Sequence, residues 1–113
     1  MIAWLMGIRT ISPAALQQRM LEGEVTVLDV NAPGSWTKAR VPGAINLDAA
    51  GFRDNDLPRD RSATLVFYCS NPMCRRAPIA ARRARQMGYD DVRVMPAGIS
   101  GWLERGLPVG SGT

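Results

Sequence analysis

The 113-residue chain contains no histidine, a single lysine at Lys38 and only two cysteines, Cys69 and Cys74. Without histidine, the chain has no base for a Ser-His-Asp triad or for other histidine-dependent acid–base catalysis. Two thiols separated by four residues do not match the ligand spacing of a zinc site, so we expect neither a metal nor a cofactor. Two cysteines are also too few for the disulfide framework of a small secreted protein. Reactive thiol chemistry remains open.

Long hydrophobic runs are also absent. The apolar opening "MIAWLMGI" is too short to span a bilayer, and it lacks the basic start and the cleavage pattern of a secretory signal. We therefore expect a cytoplasmic protein that makes no contact with membranes. We predict one domain over residues 1–113, with a core at about 10–108, an apolar N-terminal extension at 1–9 and a flexible tail at 110–113.

Positive charge is concentrated in one short segment. The net charge of +4 is carried by arginine, and five arginines fall within eleven residues: Arg75, Arg76, Arg82, Arg83 and Arg85. Such a cluster can attract nucleic acid or an acidic protein. Aromatic residues do not interleave it and no nucleic-acid motif accompanies it, so the pattern favours a solvated helix face and we expect no nucleic-acid partner.

Helical and strand patterns alternate along the chain. Ser12 and Pro13 predict the start of a first helix and Gly23 its end, with an apolar stripe formed by Ala15, Leu16, Met20 and Leu21. Apolar runs predict strands at 25–30, 43–48, 63–69 and 91–95. Helices or turns are predicted after 30, from Arg76 or Ala77 to Met87, and around Trp102, while 49–62 is a loop with one helical turn. The alternation predicts an α/β fold with a parallel sheet and helices on both faces.

Cys69 ends the clearest of these strands, in the stretch "YCSNPMCRRAP" (68–78). Ligands of parallel α/β sheets bind at the carboxyl ends of strands. The start of the following helix, the charges of Arg75 and Arg76, and a loop with inward N–H groups all favour a reactive thiolate at Cys69. The alternative is that Cys69 is a small buried hydrophobic residue that closes the strand.

Five segments together resemble the rhodanese-like family of sulfurtransferases. They are "VLDV" (27–30), "VPGAINLD" (41–48), "LVFYC" (65–69), "AARRARQMGYDDVRVM" (80–95) and "AGISGW" (97–102). Their order and spacing are specific, and the resemblance covers about residues 10–108. It implies a parallel sheet of about five strands between helices.

The resemblance also implies an activity. Cys69 would take sulfane sulfur from a donor such as thiosulfate, hold it as a persulfide, and pass it to cyanide or a thiol. Arg75 would steer the anionic donor, and Asp29 would support the loop structurally. The implied substrate-binding loop comprises Ser70, Asn71, Met73, Cys74, Arg75 and Arg76. The expected partners are a small anionic sulfur donor and a thiol acceptor, protein thiols included, and the expected state is a monomer or weak homodimer.

The chain departs from the family pattern in several places. Asn31 replaces the arginine of "D-V-R", Ser35-Trp36 replaces "E-(Y/F)", and Ala39-Arg40-Val41 replaces "G-H-I". The residue five after Cys69 is Cys74, which places Arg75 in a Cys-x5-Arg spacing similar to that of cell-cycle phosphatases and arsenate reductases. Such an oxyanion enzyme is the second hypothesis, although Tyr68 replaces their histidine and Pro72 lacks an N–H donor.

Two further alternatives stay open. The chain could be a non-catalytic binding module that uses the basic helix. Cys74 either resolves Cys69 by forming a loop disulfide or fills space under the loop, since disulfide formation needs Cα atoms within about 7 Å.

Overall fold

The computed structural model describes residues 8–113. Five strands within this range form a parallel sheet in the order β1-β5-β4-β2-β3. The strands are β1 (Arg9–Thr10), β2 (Thr26–Asp29), β3 (Ile45–Asn46), β4 (Thr64–Tyr68) and β5 (Asp91–Val94). The helices are α1 (Pro13–Glu22), α2 (Pro33–Lys38), α3 (Arg76–Gln86) and α4 (Gly98–Glu104), with a 3₁₀ turn at Asp54–Asp56. The α/β fold predicted from the sequence is confirmed.

Helix α1 begins and ends at the residues that its capping pattern predicts. The Ser12 hydroxyl accepts a hydrogen bond from the Ala15 N–H at 3.1 Å, and Gly23 ends the helix in the left-handed region at φ +83°. Its buried stripe is narrower than predicted, because Leu16 is buried whereas Ala15 is exposed and Leu21 is 73% exposed. Ala15 and Leu21 lie off the row of positions three and four apart that meets the sheet.

The side chains of β4 alternate between two cores, one on each face of the sheet. Leu65 and Phe67 lie on the face of the sheet that α3 covers. Four buried alanines of α3 let the helix approach that face closely: Ala77, Ala80, Ala81 and Ala84. Val66 and Tyr68 contact the other face, together with Leu16 of α1 and Trp102 of α4. Helices therefore cover both faces, and Trp102 packs on the sheet as predicted.

Two contacts near the ends of the described chain were not predicted. Strand β1 was missed because Arg9 and Thr10 are polar and exposed and join the sheet only through backbone pairing with β5. Within the predicted tail at 110–113, Gly110 pairs with Arg40 in an antiparallel bridge. The Arg40 guanidinium, which stacks 3.8 Å over the Trp36 ring, also donates to the carbonyls of Ser111 and Gly112.

The apolar opening lies mostly outside the described residues. Within residues 8–113, none of the helices combines the length and hydropathy that crossing a membrane requires.

Candidate active site

Cys69 lies at the carboxyl end of β4, the central strand of the sheet, and is only 3% exposed. Its carbonyl accepts a hydrogen bond from the Ile99 N–H at 3.0 Å, and the Ser70 carbonyl accepts one from the Ser100 N–H at 3.0 Å. Both donors belong to the first turn of α4. The first half of the loop is therefore fixed to α4.

Gly98 permits this close approach. A Cβ atom at residue 98 would lie 2.5 Å from the backbone carbonyl carbon of Ser70, and the residue has φ +65°. Both the contact and the left-handed backbone demand glycine. The sequence motif "AGISGW" marks this position, but it does not reveal that the glycine faces the loop of Cys69.

Asn71 shapes the outer half of the loop. Its side-chain oxygen accepts a hydrogen bond from the Met73 N–H at 2.9 Å, and its carbonyl accepts one from the Cys74 N–H at 3.1 Å. This is an Asx turn, which curls the chain back toward Cys69. Met73 is 87% exposed at the outside of the turn.

Cys74 and Cys69 are paired as a disulfide, with their Cα atoms 6.4 Å apart. Cys74 is partly buried against the α3-side core, whereas Cys69 is nearly inaccessible. The cavity beside the two sulfurs measures about 10 Å³, which is room for a single water at most. In this state the loop has no free thiol and no space for a sulfur donor at Cys69.

Arg75 and Arg76 stand at the start of α3. Arg75 is the N-cap residue of the helix, and no side chain caps the helix there. Both arginines are exposed, and neither forms an ion pair within residues 8–113. Two uncompensated cations at an uncapped helix N-terminus favour a bound anion or a thiolate. Arg76 also borders an open pocket of about 360 Å³ that Asn31 lines.

Asp29 is fully buried below the loop, and both of its carboxylate oxygens are occupied. One oxygen accepts a hydrogen bond from the Asn31 N–H at 2.8 Å, and the other accepts one from the Tyr68 hydroxyl at 2.6 Å. The Tyr68 oxygen in turn accepts one from the Val41 N–H at 3.0 Å. Desolvation raises the pKa of Asp29 although these hydrogen bonds oppose it, and desolvation together with the bond to Asp29 raises the pKa of Tyr68. These contacts join the end of β2 to β4.

Asn31 links this network to the loop, which the sequence did not predict. Its side-chain oxygen accepts a hydrogen bond from the Ser70 hydroxyl at 2.7 Å, while Asn46 donates to its backbone carbonyl at 2.9 Å. The sequence marked Asn31 only as a departure from the family pattern. The shorter side chain makes a contact with Ser70 that fixes the residue next to Cys69.

Among the arginines of α3, Arg83 has a scaffold contact. It donates to the Phe52 carbonyl at 2.9 Å and lies over the Phe52 ring, 5.3 Å from the centroid. It holds the segment after β3 against α3, whereas Arg82 is exposed. The basic segment is therefore not one uniform solvated surface.

Comparisons with known proteins agree with this architecture. The family model described as "Rhodanese-like domain" matches residues 12–105. An HTH-type transcriptional regulator of Mycobacterium tuberculosis is 38% identical over 104 residues, which cover 90% of this chain and 45% of that protein. The chain thus spans less than half the length of this curated relative.

Two solved structures are also similar. A rhodanese-related protein of Thermoplasma volcanium has a TM-score of 0.75 and 29% identity, over 90% of this chain and 97% of that chain. A thiosulfate sulfurtransferase of Pseudomonas aeruginosa has a TM-score of 0.81 and 26% identity, over 93% of this chain and 20% of that chain. Because the family model covers well over half of the chain, this protein belongs to the rhodanese-like domain family.

Proposed function

We propose that the reduced protein is a sulfurtransferase that carries sulfane sulfur as a persulfide on Cys69. The observation that supports this most directly is the position of Cys69, at the end of the central strand and beside the uncapped N-terminus of α3. Arg75 and Arg76 add two uncompensated positive charges at that helix end. A thiolate at Cys69 meets favourable electrostatics there.

The reaction has two displacement steps. The Cys69 thiolate attacks the outer sulfur of thiosulfate, the sulfur–sulfur bond of the donor breaks, and sulfite leaves with the electron pair. An acceptor, either cyanide or a thiolate, then attacks the outer sulfur of the Cys69 persulfide, and Cys69 leaves as thiolate. Neither step needs histidine, metal or cofactor, because thiolate and sulfite are competent leaving groups without protonation.

Arg75 has the chemistry to orient the donor. A guanidinium binds two oxygens of a sulfonate-like group with parallel hydrogen bonds. The proposed partners are accordingly a small anionic sulfur donor and a thiol acceptor, with protein thiols among the acceptors. We also propose a cytoplasmic location, where reducing conditions keep the loop cysteines reduced, and a monomer or weak homodimer.

The loop geometry favours sulfane sulfur over a tetrahedral oxyanion. A phosphate or arsenate cradle needs several backbone N–H groups that point inward. Pro72 has none, and the N–H groups of Met73 and Cys74 are already bonded to Asn71. A phosphatase or arsenate reductase would have to do without half of its cradle, and a persulfide anion requires fewer donors.

Thiosulfate:cyanide sulfur transfer, combined with intact-mass measurement, tests the proposal. The phosphine-reduced and desalted Cys74→Ser variant should gain the mass of one sulfur atom after thiosulfate treatment, and should form thiocyanate when cyanide is added. The double variant Cys69→Ser/Cys74→Ser should do neither. A sulfur adduct that survives in the double variant, or no adduct in either protein, contradicts the assignment of Cys69.

A further inference from the structure

The loop holds Cys74 close to Cys69 through contacts that do not depend on their disulfide. The carbonyls of Cys69 and Ser70 are bound by the first turn of α4. The N–H groups of Met73 and Cys74 are bound by Asn71. None of these hydrogen bonds involves a sulfur atom, and the Cα atoms that they bring together lie 6.4 Å apart, within the about 7 Å that a disulfide allows.

The two sulfurs differ in accessibility. Cys69 is 3% exposed and packs among core residues that include Ala77 of α3. Cys74 is only partly buried and follows Met73, which is 87% exposed at the surface. An external thiol therefore reaches the disulfide from the side of Cys74.

We propose that Cys74 is a resolving thiol that converts the Cys69 persulfide into sulfide, with a dithiol reductant as the partner that resets the loop. This inference rests on the proposed sulfurtransferase function and adds a second product. Cys74, which lies five positions after Cys69, then takes part in the reaction.

The resolving step balances without an added oxidant. The Cys74 sulfur attacks the Cys69 sulfur, the bond between Cys69 and the outer sulfur breaks, and the outer sulfur leaves as hydrosulfide with the proton of Cys74. The sulfane sulfur is reduced to sulfide, and the two cysteines are oxidised to the loop disulfide that the structure contains. Intramolecular attack has the advantage of a high effective concentration.

The reset step explains why the partner is a dithiol. One sulfur of the reductant attacks Cys74, the accessible side of the disulfide, and Cys69 leaves as the thiolate that the start of α3 favours. The second thiol of the reductant then attacks the mixed disulfide and releases Cys74. The sum is one sulfane donor and one dithiol converted into sulfide, the depleted donor and an oxidised dithiol.

A purely structural disulfide is a poorer account of the same pair. The cysteines are five residues apart in sequence, and a disulfide that closes so short a loop constrains the unfolded chain less than a long-range one. The loop is also already held by hydrogen bonds to α4 and within the Asx turn. A structural disulfide here would restrain a loop that these hydrogen bonds already hold in place.

A single-turnover experiment without reductant tests the proposal. Wild type, Cys74→Ser and the surface control Leu21→Ala, whose residue is 73% exposed on α1 and outside the site, are reduced with a phosphine, desalted without oxygen, and given one equivalent of thiosulfate. We expect wild type and Leu21→Ala to release stoichiometric sulfide and to end two hydrogens lighter than the reduced chain. Cys74→Ser should keep the mass of one extra sulfur and release sulfide at least about tenfold more slowly. Dithiothreitol should then return the wild-type loop to two thiols.

The outcomes separate this inference from the function on which it rests. If wild type keeps a stable sulfur adduct with Cys74 still reduced, the resolving role is wrong while the sulfurtransferase proposal stands. If Cys74→Ser gains no sulfur at all, the sulfurtransferase proposal itself fails. Equal sulfide release by wild type and Cys74→Ser also overturns the role of Cys74, because external chemistry then accounts for the product.

Discussion

The two ends of the parallel sheet differ in whether their charged side chains have partners of opposite charge. At the amino end, Asp91 accepts hydrogen bonds from Arg9 at 3.1 Å, Arg93 at 3.0 Å and Thr64 at 2.7 Å. At the carboxyl end, Arg75 and Arg76 stand beside Cys69 without an acidic partner in residues 8–113. Compensated charges contribute to stability, whereas uncompensated charges at an uncapped helix end are suited to a ligand.

The ends differ in packing as well. The carboxyl end brings the backbones of α4 and the Cys69 loop together, with Gly98 at the contact. The amino end is formed by side-chain hydrogen bonds, including one from Arg19 of α1 to Thr64 at 2.9 Å. A change at the carboxyl end should therefore alter activity, and one at the amino end should alter only stability.

The largest effect is expected for Gly98→Ala. The left-handed backbone costs about 1–2 kcal/mol for alanine, and the new Cβ would collide with the Ser70 backbone, which is fixed by hydrogen bonds to α4. We expect a total loss of about 3 kcal/mol or more in the free energy of unfolding, and at least a tenfold loss of sulfur transfer. Denaturant unfolding and the thiocyanate assay measure the two quantities.

Gly106→Ala is the matched control for Gly98→Ala. Gly106 has φ +66°, nearly the same as Gly98, but a Cβ there meets nothing within 4 Å. Only the backbone strain of about 1–2 kcal/mol should appear, with sulfur transfer unchanged. If both variants lose activity equally, the contact of Gly98 with the loop is not what positions Cys69.

The next largest effect is expected on sulfur transfer when the positive charge of Arg75 is removed. Arg75→Ala should lower kcat/KM for thiosulfate by about 10–100-fold, because a bidentate charged contact with the donor is lost. The same variant should be more stable by about 0.3–1 kcal/mol, since a cation at a helix N-terminus opposes the helix dipole. A gain in unfolding free energy together with a loss of turnover would identify a residue kept for function.

Arg82→Ala controls for total charge, because it removes one exposed arginine from the same helix, farther from the loop. We expect its kcat/KM to stay within about twofold of wild type. Equal losses in both variants would mean that the general positive field of the helix, rather than Arg75, attracts the donor.

These elements also show what the sequence could and could not predict. Ser12, Pro13 and Gly23 define α1 through contacts within a few residues, so their pattern is sufficient. The bond between Ser70 and Asn31 joins residues 39 apart, and the distance between Cys69 and Cys74 depends on how the loop curls. Strand β1 exists only by pairing with β5 and leaves no apolar pattern in Arg9 and Thr10. Local signals predicted the framework and the position of Cys69 at the end of a strand, while the contacts that set the loop required the fold.

The smallest effect is expected on the free energy of unfolding, whose dependence on pH should differ between the two ends of the sheet. Desolvation acts to raise the pKa of Asp91, but hydrogen bonds from Arg93 and Thr64 outweigh it and lower the pKa below 3.8. Its contribution to stability is therefore present above that value and is lost as the pH falls through the folded pKa. Asp91→Asn should cost about 1–2 kcal/mol of unfolding free energy at neutral pH and progressively less below pH 4, with sulfur transfer unchanged.

Asp29, at the carboxyl end, should show the opposite sign. Desolvation raises its pKa in the folded protein, so its contribution to stability is present below the unfolded value of 3.8 and is lost as the pH rises through the raised pKa. The cost of Asp29→Asn should thus shrink as the pH rises, while that of Asp91→Asn grows. Denaturant unfolding of wild type and both variants between acidic and neutral pH measures the two trends. Parallel trends would show that burial at Asp29 does not outweigh its hydrogen bonds from Tyr68 and Asn31, and that this contrast between the ends of the sheet is absent.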